Sequence, residues 1–254
     1  MNEFENFISI VRRLRKECPW DSVQTHESLR PHLIEEAYEA ADSIQQNNLQ
    51  ELKGELGDLL LHIVLHSIIA EETNTFTVEE VIHSITEKMI RRHPHIFGDA
   101  VIRSAEEQLI SWEKIKMNEG RISVLDGIPQ TLPALIKAEK IQKKAAKVGF
   151  DWDNKNDVWN KVEEELQEFK KAQHDNSDAT MREEFGDLLF VLVNYARFLN
   201  INCEDALNNT TKKFTARFHY IEEQFRNSGR DIHSSTLQEM DGYWNEAKEK
   251  LDKK

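Results

Sequence analysis

The chain has 254 residues, which is enough for one large domain or two small ones. It carries 46 acidic and 33 basic residues, and a net charge of −13 is unlike that of a general nucleic-acid binder. No apolar run approaches the ~20 residues that span a bilayer, and no signal-length apolar segment opens the chain. Its two cysteines, Cys18 and Cys203, lack metal spacing. We therefore expect a cytoplasmic protein with no membrane and no nucleic-acid partner.

The pattern along the chain is that of a protein built from helices. Polar and apolar residues recur at helical spacing over long stretches, whereas strand-like alternation between turn signals is scarce. All five prolines lie at or before Pro133, and the nine glycines form no GxGxxG or Walker-type loop. These features predict an all-α protein.

Acidic residues form the first distinctive motif, an EExxE segment followed by an ExxD segment. Its members are Glu35, Glu36, Glu39, Glu55 and Asp58. The apolar stretch LLLHIVLHSII follows directly, so the acids stand at the edge of a core. Carboxylates are costly there unless a positive group lies among them. The set is therefore a candidate metal site.

Two histidines, His62 and His66, fall on the same helical face as Glu55. They have two interpretations. They are either hydrogen-bonded groups of the core or of an interface, or ligands in a modified metal site. The sequence alone leaves both open.

A change of composition divides the chain near its middle. The segment Asn118–Pro133, NEGRISVLDGIPQTLP, has two glycines, two prolines and no helical periodicity. It predicts an N-terminal module over residues 1–118, a linker over 119–133 and a C-terminal module over 134–254.

The acidic motif recurs in the second half. Each of the five acids has a counterpart 129 residues further on: Glu164, Glu165, Glu168, Glu184 and Asp187. Other pairs recur at similar offsets, since Lys88 and Arg92 correspond to Lys213 and Arg217. We therefore predict two tandem helical-bundle modules.

Helical phasing shows where the second set of acids points. A helix is predicted over residues 158–171, with Asn156 or Asp157 as its N-cap. At about 100° per residue, Glu165 falls within its apolar stripe, which is formed by Val158, Val162, Leu166 and Phe169.

A second helix is predicted over residues 181–199, and its apolar face includes Glu184. Each helix then directs two carboxylates inward at i, i+3 spacing, Glu165 with Glu168 and Glu184 with Asp187. Packing the two helices together brings four carboxylates into one site. Hard oxygen ligands of this kind suit Mg²⁺, or alternatively Mn²⁺.

Cationic and aromatic residues follow at one-turn spacing. Lys213 and Arg217 are placed to meet phosphate oxygens, Arg217 in bidentate fashion. Trp244 and Lys248 would put an aromatic face beside an ammonium group, which suits a base and a phosphate.

With these motifs, the chain resembles the MazG nucleoside triphosphate pyrophosphohydrolases in their tandem-domain form. CPWDSVQTHESL at 18–29, RRHPHIFGD at 91–99 and GIPQTLPAL at 127–135 resemble that family as well. The resemblance implies Mg²⁺-dependent hydrolysis of a nucleoside triphosphate, ATP included, to the monophosphate and pyrophosphate. It also implies a homodimer in which helices of two chains complete the bundles.

The resemblance assigns roles to individual residues. Glu165, Glu168, Glu184 and Asp187 match metal ligands, while nucleotide contacts match Lys161, Glu164, Lys213, Arg217, Trp244 and Lys248. Glu164 is a candidate for positioning the attacking water. The first half departs at His32, the counterpart of Lys161, so the resemblance favours the second half as the active one.

Two other functions fit the same residues. One is a more selective helical pyrophosphohydrolase that acts on dUTP or phosphoribosyl-ATP. The other is a nucleotide-sensing scaffold that binds without catalysis. A single visible stacking residue, Trp244, favours broad specificity over the first of these.

Overall fold

The computed structural model describes residues 2–120, 122–175 and 177–251. Within those ranges every regular element is a helix and no strand occurs, which confirms the all-α prediction. The chain divides into two compact units, residues 1–108 and residues 109–254. None of the described helices combines the length and the apolar character that crossing a bilayer requires.

The first unit is organised around one central helix. In chain order its described helices are α1 (Glu3–Glu17), α2 (His26–Gln45), α3 (Leu49–Glu72), α4 (Val78–Arg92), α5 (Pro94–Phe97) and the start of α6 (Ala105–Asn118). A three-residue connection joins α2 to α3, so the two helices run antiparallel and pack on each other. Helices α1 and α4 also pack on α3. Apolar side chains between these helices form the core, including Val11, Leu29, Val64, Leu65, Ile68 and Val78.

Side-chain caps fix where these helices begin. The Thr25 side chain accepts a hydrogen bond from the backbone N–H of Ser28, and the Ser28 side chain accepts one from the backbone N–H of Thr25. Thr77 and Glu80 form the same pair of reciprocal hydrogen bonds, a capping box, at the start of α4. Each box satisfies N–H groups that have no partner within the first turn.

The second unit repeats the paired-helix arrangement. Its helices are α7 (Ala134–Ala146), α8 (Lys155–His174), α9 (Asp178–Phe198), α10 (Cys203–Asn227) and α11 (Leu237–Leu251). Helices α8 and α9 pack closely, and α10 packs on α11. Helix α7 contacts both α9 and α10 and so lies between the two pairs. Val158, Val162 and Val191 form the buried core between α8 and α9.

The predicted N-cap of α8 was wrong. Asn154, and neither Asn156 nor Asp157, caps the helix, because its side-chain oxygen accepts hydrogen bonds from the backbone N–H groups of both later residues. Helix α9 likewise begins at Asp178, three residues before the predicted start. The apolar periodicity located the buried faces, but polar first turns carry no such periodicity.

The segment between α6 and α7 is held in place by a buried lysine. The Lys144 ammonium group donates hydrogen bonds to the carbonyl oxygens of Val124, at 2.6 Å, and Asp126, at 3.1 Å. Asp126 in turn accepts from the backbone N–H of Ser123. These bonds attach the connecting segment to α7, so this part of the chain is not a free tether.

A carboxylate in α6 is expected to stabilise the second unit at neutral pH. Glu113 accepts hydrogen bonds from Lys116 at 2.8 Å and Lys147 at 3.0 Å. Burial opposes its charged form, but the two ammonium groups outweigh burial and lower the pKa of Glu113 to about 2. Because the pKa is lowered, the stabilisation is complete above about pH 4.5 and is lost as the pH falls toward 2.

We expect Glu113→Gln to lower the free energy of unfolding at pH 7 by up to about 3 kcal/mol. Urea unfolding at pH 7 and pH 3 measures this, and the deficit should shrink at the lower pH. Glu223→Gln, at an exposed position, serves as the control. An equal deficit at both pH values would show that the carboxylate charge is not the cause.

A candidate metal and nucleotide site

The acids of the second unit meet between two helices. Glu165 of α8 and Glu184 and Asp187 of α9 place carboxylate oxygens within 4.8 Å of one another. Glu165 is only 7% exposed, whereas Glu184 is half-buried and Asp187 is exposed. The position of Glu165 agrees with the helical phasing, which put it within the apolar stripe. Three oxygen donors from two helices therefore converge at the edge of the core.

Negative charge is concentrated at this point. The pKa of Glu184 is raised, first by burial and then by the charges of Glu168, Glu165 and Asp187. Glu168 stands outside the 4.8 Å group, but its charge acts on Glu184. The four predicted ligands therefore belong to one electrostatic site. Mutual repulsion among carboxylates favours a bound cation, so this donor set fits a hard divalent metal ion.

A lysine offsets part of this charge. The Lys161 ammonium group lies 2.7 Å from a carboxylate oxygen of Glu164 and 2.7 Å from one of Glu165. Hydrogen bonds to Glu164 and then to Glu165 raise the pKa of Lys161, so it stays charged at neutral pH. Lys161 is thus held next to the candidate metal-binding acids and within reach of an anion bound among them.

The first unit holds a similar acidic group. Glu36 and Glu39 of α2 and Glu55 of α3 place carboxylate oxygens within 4.8 Å of one another. Burial raises the pKa of Glu55, and the charges of Glu39, Glu36 and Asp58 raise it further. Each unit therefore has an acidic group between its paired helices, but the third member differs: Glu39 in the first unit and Asp187 in the second.

The two sites differ in the residue that faces the acids. His32 occupies the position that Lys161 has in the second unit, and its Nδ1 lies 3.5 Å from a carboxylate oxygen of Glu35. The Trp20 ring stands edge-on to His32, with 6.2 Å between ring centroids. A lysine is charged at neutral pH, whereas an ordinary histidine is mostly neutral there. The first site therefore lacks the permanent cation at this position.

The remaining predicted nucleotide contacts lie on α10 and α11. The guanidinium carbon of Arg217 is 5.3 Å from the centroid of the Trp244 ring. The ring centroids of Phe214 and Trp244 are 5.1 Å apart. Lys213 and Lys248 are exposed on the same pair of helices. The structure thus brings Arg217 and Trp244 together, but on a different helix pair from the acids.

Sequence reasoning missed one member of the first site. His26, at the start of α2, places its Nδ1 2.8 Å from the Nδ1 of His66 on α3. The two residues are 40 positions apart and share no motif, so only the pairing of α2 with α3 reveals the contact.

Fold and site together define an all-α protein in which paired helices bring together carboxylates suited to a metal ion. The model of the MazG nucleotide pyrophosphohydrolase domain matches this chain twice, at residues 24–97 and 155–221. The chain therefore belongs to the MazG family, it is an enzyme of the nucleotide pyrophosphohydrolase class, and the resemblance seen in its motifs is confirmed.

Relatives match over nearly the whole chain. The nucleoside triphosphate pyrophosphohydrolase/pyrophosphatase MazG of Thermotoga maritima is 44% identical, over 96% of this chain and 95% of that protein. The nucleoside triphosphate pyrophosphohydrolase of Escherichia coli is 39% identical over 98% of each chain. YabN of Bacillus subtilis, an uncharacterized protein, is 48% identical over 98% of this chain but only 52% of its own length.

Proposed function

We propose that the C-terminal module, residues 134–254, hydrolyses nucleoside and deoxynucleoside triphosphates, ATP among them, to monophosphates and pyrophosphate with Mg²⁺. The observation that carries this proposal is the convergence of Glu165, Glu184 and Asp187, with Lys161 beside them. The relatives of nearly full length are named for this activity. The repeated acids of the first unit lack the lysine, which supports assigning the reaction to the second.

Different residues of the second unit have different roles in this reaction. Glu165, Glu168, Glu184 and Asp187 would hold Mg²⁺, which when bound neutralises the triphosphate and polarises its phosphoryl oxygens. Glu164 is exposed at the edge of the site and is suited to position the attacking water. Water gives up a proton and adds to the α- or the β-phosphorus as the bridging P–O bond between them breaks, which yields the monophosphate and pyrophosphate.

Lys161 has a separate role in this scheme. Without substrate its ammonium group neutralises Glu164 and Glu165. A bound triphosphate offers it oxygen acceptors of higher charge, so Lys161 can exchange its carboxylate partners for a phosphate. Lys213, Arg217 and Lys248 supply further positive charge from α10 and α11. Catalysis by this set rests on positioning and electrostatics.

A panel of the eight common ribo- and deoxyribonucleoside triphosphates tests the function directly. We expect Mg²⁺-dependent pyrophosphate release from all of them, with kcat/KM values within about 100-fold, because Trp244 is the one stacking candidate among the assigned residues. Release from dUTP alone would favour the selective alternative. Tight nucleotide binding without any Mg²⁺-dependent product would instead support a sensing scaffold.

We also propose that the protein is a homodimer. The accessible surface of one chain is 17,959 Å². Size scaling gives about 14,000 Å² for two compact units of these sizes, even when each is counted alone. Many large apolar side chains are among the exposed residues. On α9 the exposed residues include Phe185, Leu189, Phe190 and Leu192. Apolar surface of this extent is typical of an interface between subunits.

Leu189→Glu is expected to produce monomers. Leu189 is 43% exposed in the single chain, so a charge there costs little within one subunit but is costly inside an apolar interface. Light scattering during gel filtration measures the mass. The exposed Leu237→Glu on α11 is the control. A wild-type chain that elutes as a monomer would contradict the proposal.

A further inference from the structure

Two histidines on α3 carry ring nitrogens that have no partner. His62 is 8% exposed, and His66 follows one helical turn later. The Nδ1 of His62 and the Nε2 of His66 are both shielded from solvent, and neither has a hydrogen-bond partner. A buried polar atom without a partner costs free energy, so its retention needs an explanation. His66 has one ring hydrogen bond, to His26, but these two nitrogens have none, so hydrogen bonding within the core does not account for both histidines.

The contact with His26 explains how one of these nitrogens is prepared as a ligand. The Nδ1 atoms of His26 and His66 are 2.8 Å apart, and the two rings are stacked with 5.1 Å between centroids. Only one proton fits between two such nitrogens. When His66 donates it, the Nε2 of His66 is left with an unprotonated lone pair. Metal-binding histidines are commonly oriented by a second-nitrogen hydrogen bond of this kind.

Two acids of the first unit lie near His62. The charges of Glu36 and Asp58 act on His62, although burial has the larger effect and lowers its pKa. Burial also lowers the pKa of His66.

We propose that the N-terminal module binds a nitrogen-preferring divalent transition-metal ion, of the class of Ni²⁺, Co²⁺ and Zn²⁺, through His62, His66 and the carboxylate of Glu36. Two histidines at i, i+4 spacing present both rings on one helical face, a spacing well suited to such ions. The ring nitrogens lie outside the 4.8 Å carboxylate group, so the proposal requires the Glu36 side chain to move toward the imidazoles when the ion binds.

The second unit provides the natural comparison. Val191 and Tyr195 occupy the positions that correspond to His62 and His66. Val191 is buried and contributes to the core, so the exchange of His62 for valine has a structural precedent in this same chain. The two modules therefore differ in ligand chemistry: oxygen donors alone in the second, and nitrogen with oxygen in the first.

Calorimetric titration of the untagged, metal-free full chain with Ni²⁺ in excess Mg²⁺ tests the proposal. Mg²⁺ occupies sites made only of oxygen and competes poorly for imidazole. The wild type should bind one Ni²⁺ per chain. His62→Val combined with His66→Tyr should weaken this binding at least about 100-fold, more than changes to groups that only orient a ligand. Co²⁺ should show visible absorption bands that the double variant loses.

Matched variants separate this site from incidental binding. His174→Gln with His219→Gln also removes two imidazoles, both exposed, and should leave the Ni²⁺ affinity unchanged. Circular dichroism checks folding, and His66→Gln replaces the double variant if that variant unfolds. Binding of Ni²⁺ with wild-type affinity by the His62→Val, His66→Tyr variant would overturn the proposal. Complete displacement of Ni²⁺ by Mg²⁺ from the wild type would overturn it as well. No nucleotide is present, so the outcome is independent of the hydrolytic activity.

Discussion

Glu184→Gln is expected to lower pyrophosphate release about 1,000-fold or more while making the metal-free protein more stable. The two effects have one cause. Burial and the charges of Glu168, Glu165 and Asp187 raise the pKa of Glu184, so its charged form is unfavourable in the absence of a cation. The amide keeps the size of the side chain and removes the charge. It relieves the repulsion, and it also removes an oxygen ligand with full negative charge.

Thermal unfolding with EDTA and with Mg²⁺, together with a pyrophosphate assay, measures both effects. In EDTA the variant should melt at or above the wild-type temperature. With Mg²⁺ the wild type should gain stability, because a ligand that binds only the native state stabilises it, and the variant should gain less. Glu223→Gln makes the same change at an exposed position on α10 and should keep its activity. A variant that is less stable than the wild type in EDTA would contradict the account of charge repulsion.

Much of this site is predictable from the sequence because it depends on local periodicity. Glu165 falls on an apolar stripe by counting residues along one helix, and the structure places it among buried valines. The repeat at a fixed offset likewise predicts that a second acidic group exists. Both inferences need only the geometry of a single helix and the fact that helices bury one face.

The features that could not be predicted from the sequence depend on how the helices pair. The contact between His26 and His66 joins two helices, and the solvent-shielded nitrogens of the α3 histidines follow from that packing. The N-cap of α8 was misplaced because several polar residues compete for that position, and only the observed hydrogen bonds single out Asn154. The separation of Trp244 from the acids, on a different helix pair, also has no counterpart in the linear pattern.

A second large effect on activity is expected from variants that compare the two modules. Glu39 and Glu168 are equivalent acids of the repeat, and the charge of each raises the pKa of the neighbouring glutamate of its own site, Glu55 or Glu184. If the acids alone decided activity, the two alanine variants would behave alike. The sites differ at Lys161 and its counterpart His32, so we expect only the second site to stabilise the charge of a bound triphosphate.

Glu168→Ala should therefore reduce turnover about 1,000-fold, whereas Glu39→Ala should retain activity within several-fold of the wild type. Pyrophosphate release with saturating Mg²⁺ compares the two directly, and circular dichroism confirms that both are folded. Loss of activity in Glu39→Ala alone would move the reaction to the first module. Equal losses of activity in both variants would show that the modules act as one site. The difference between Lys161 and His32 would then not decide which module is active.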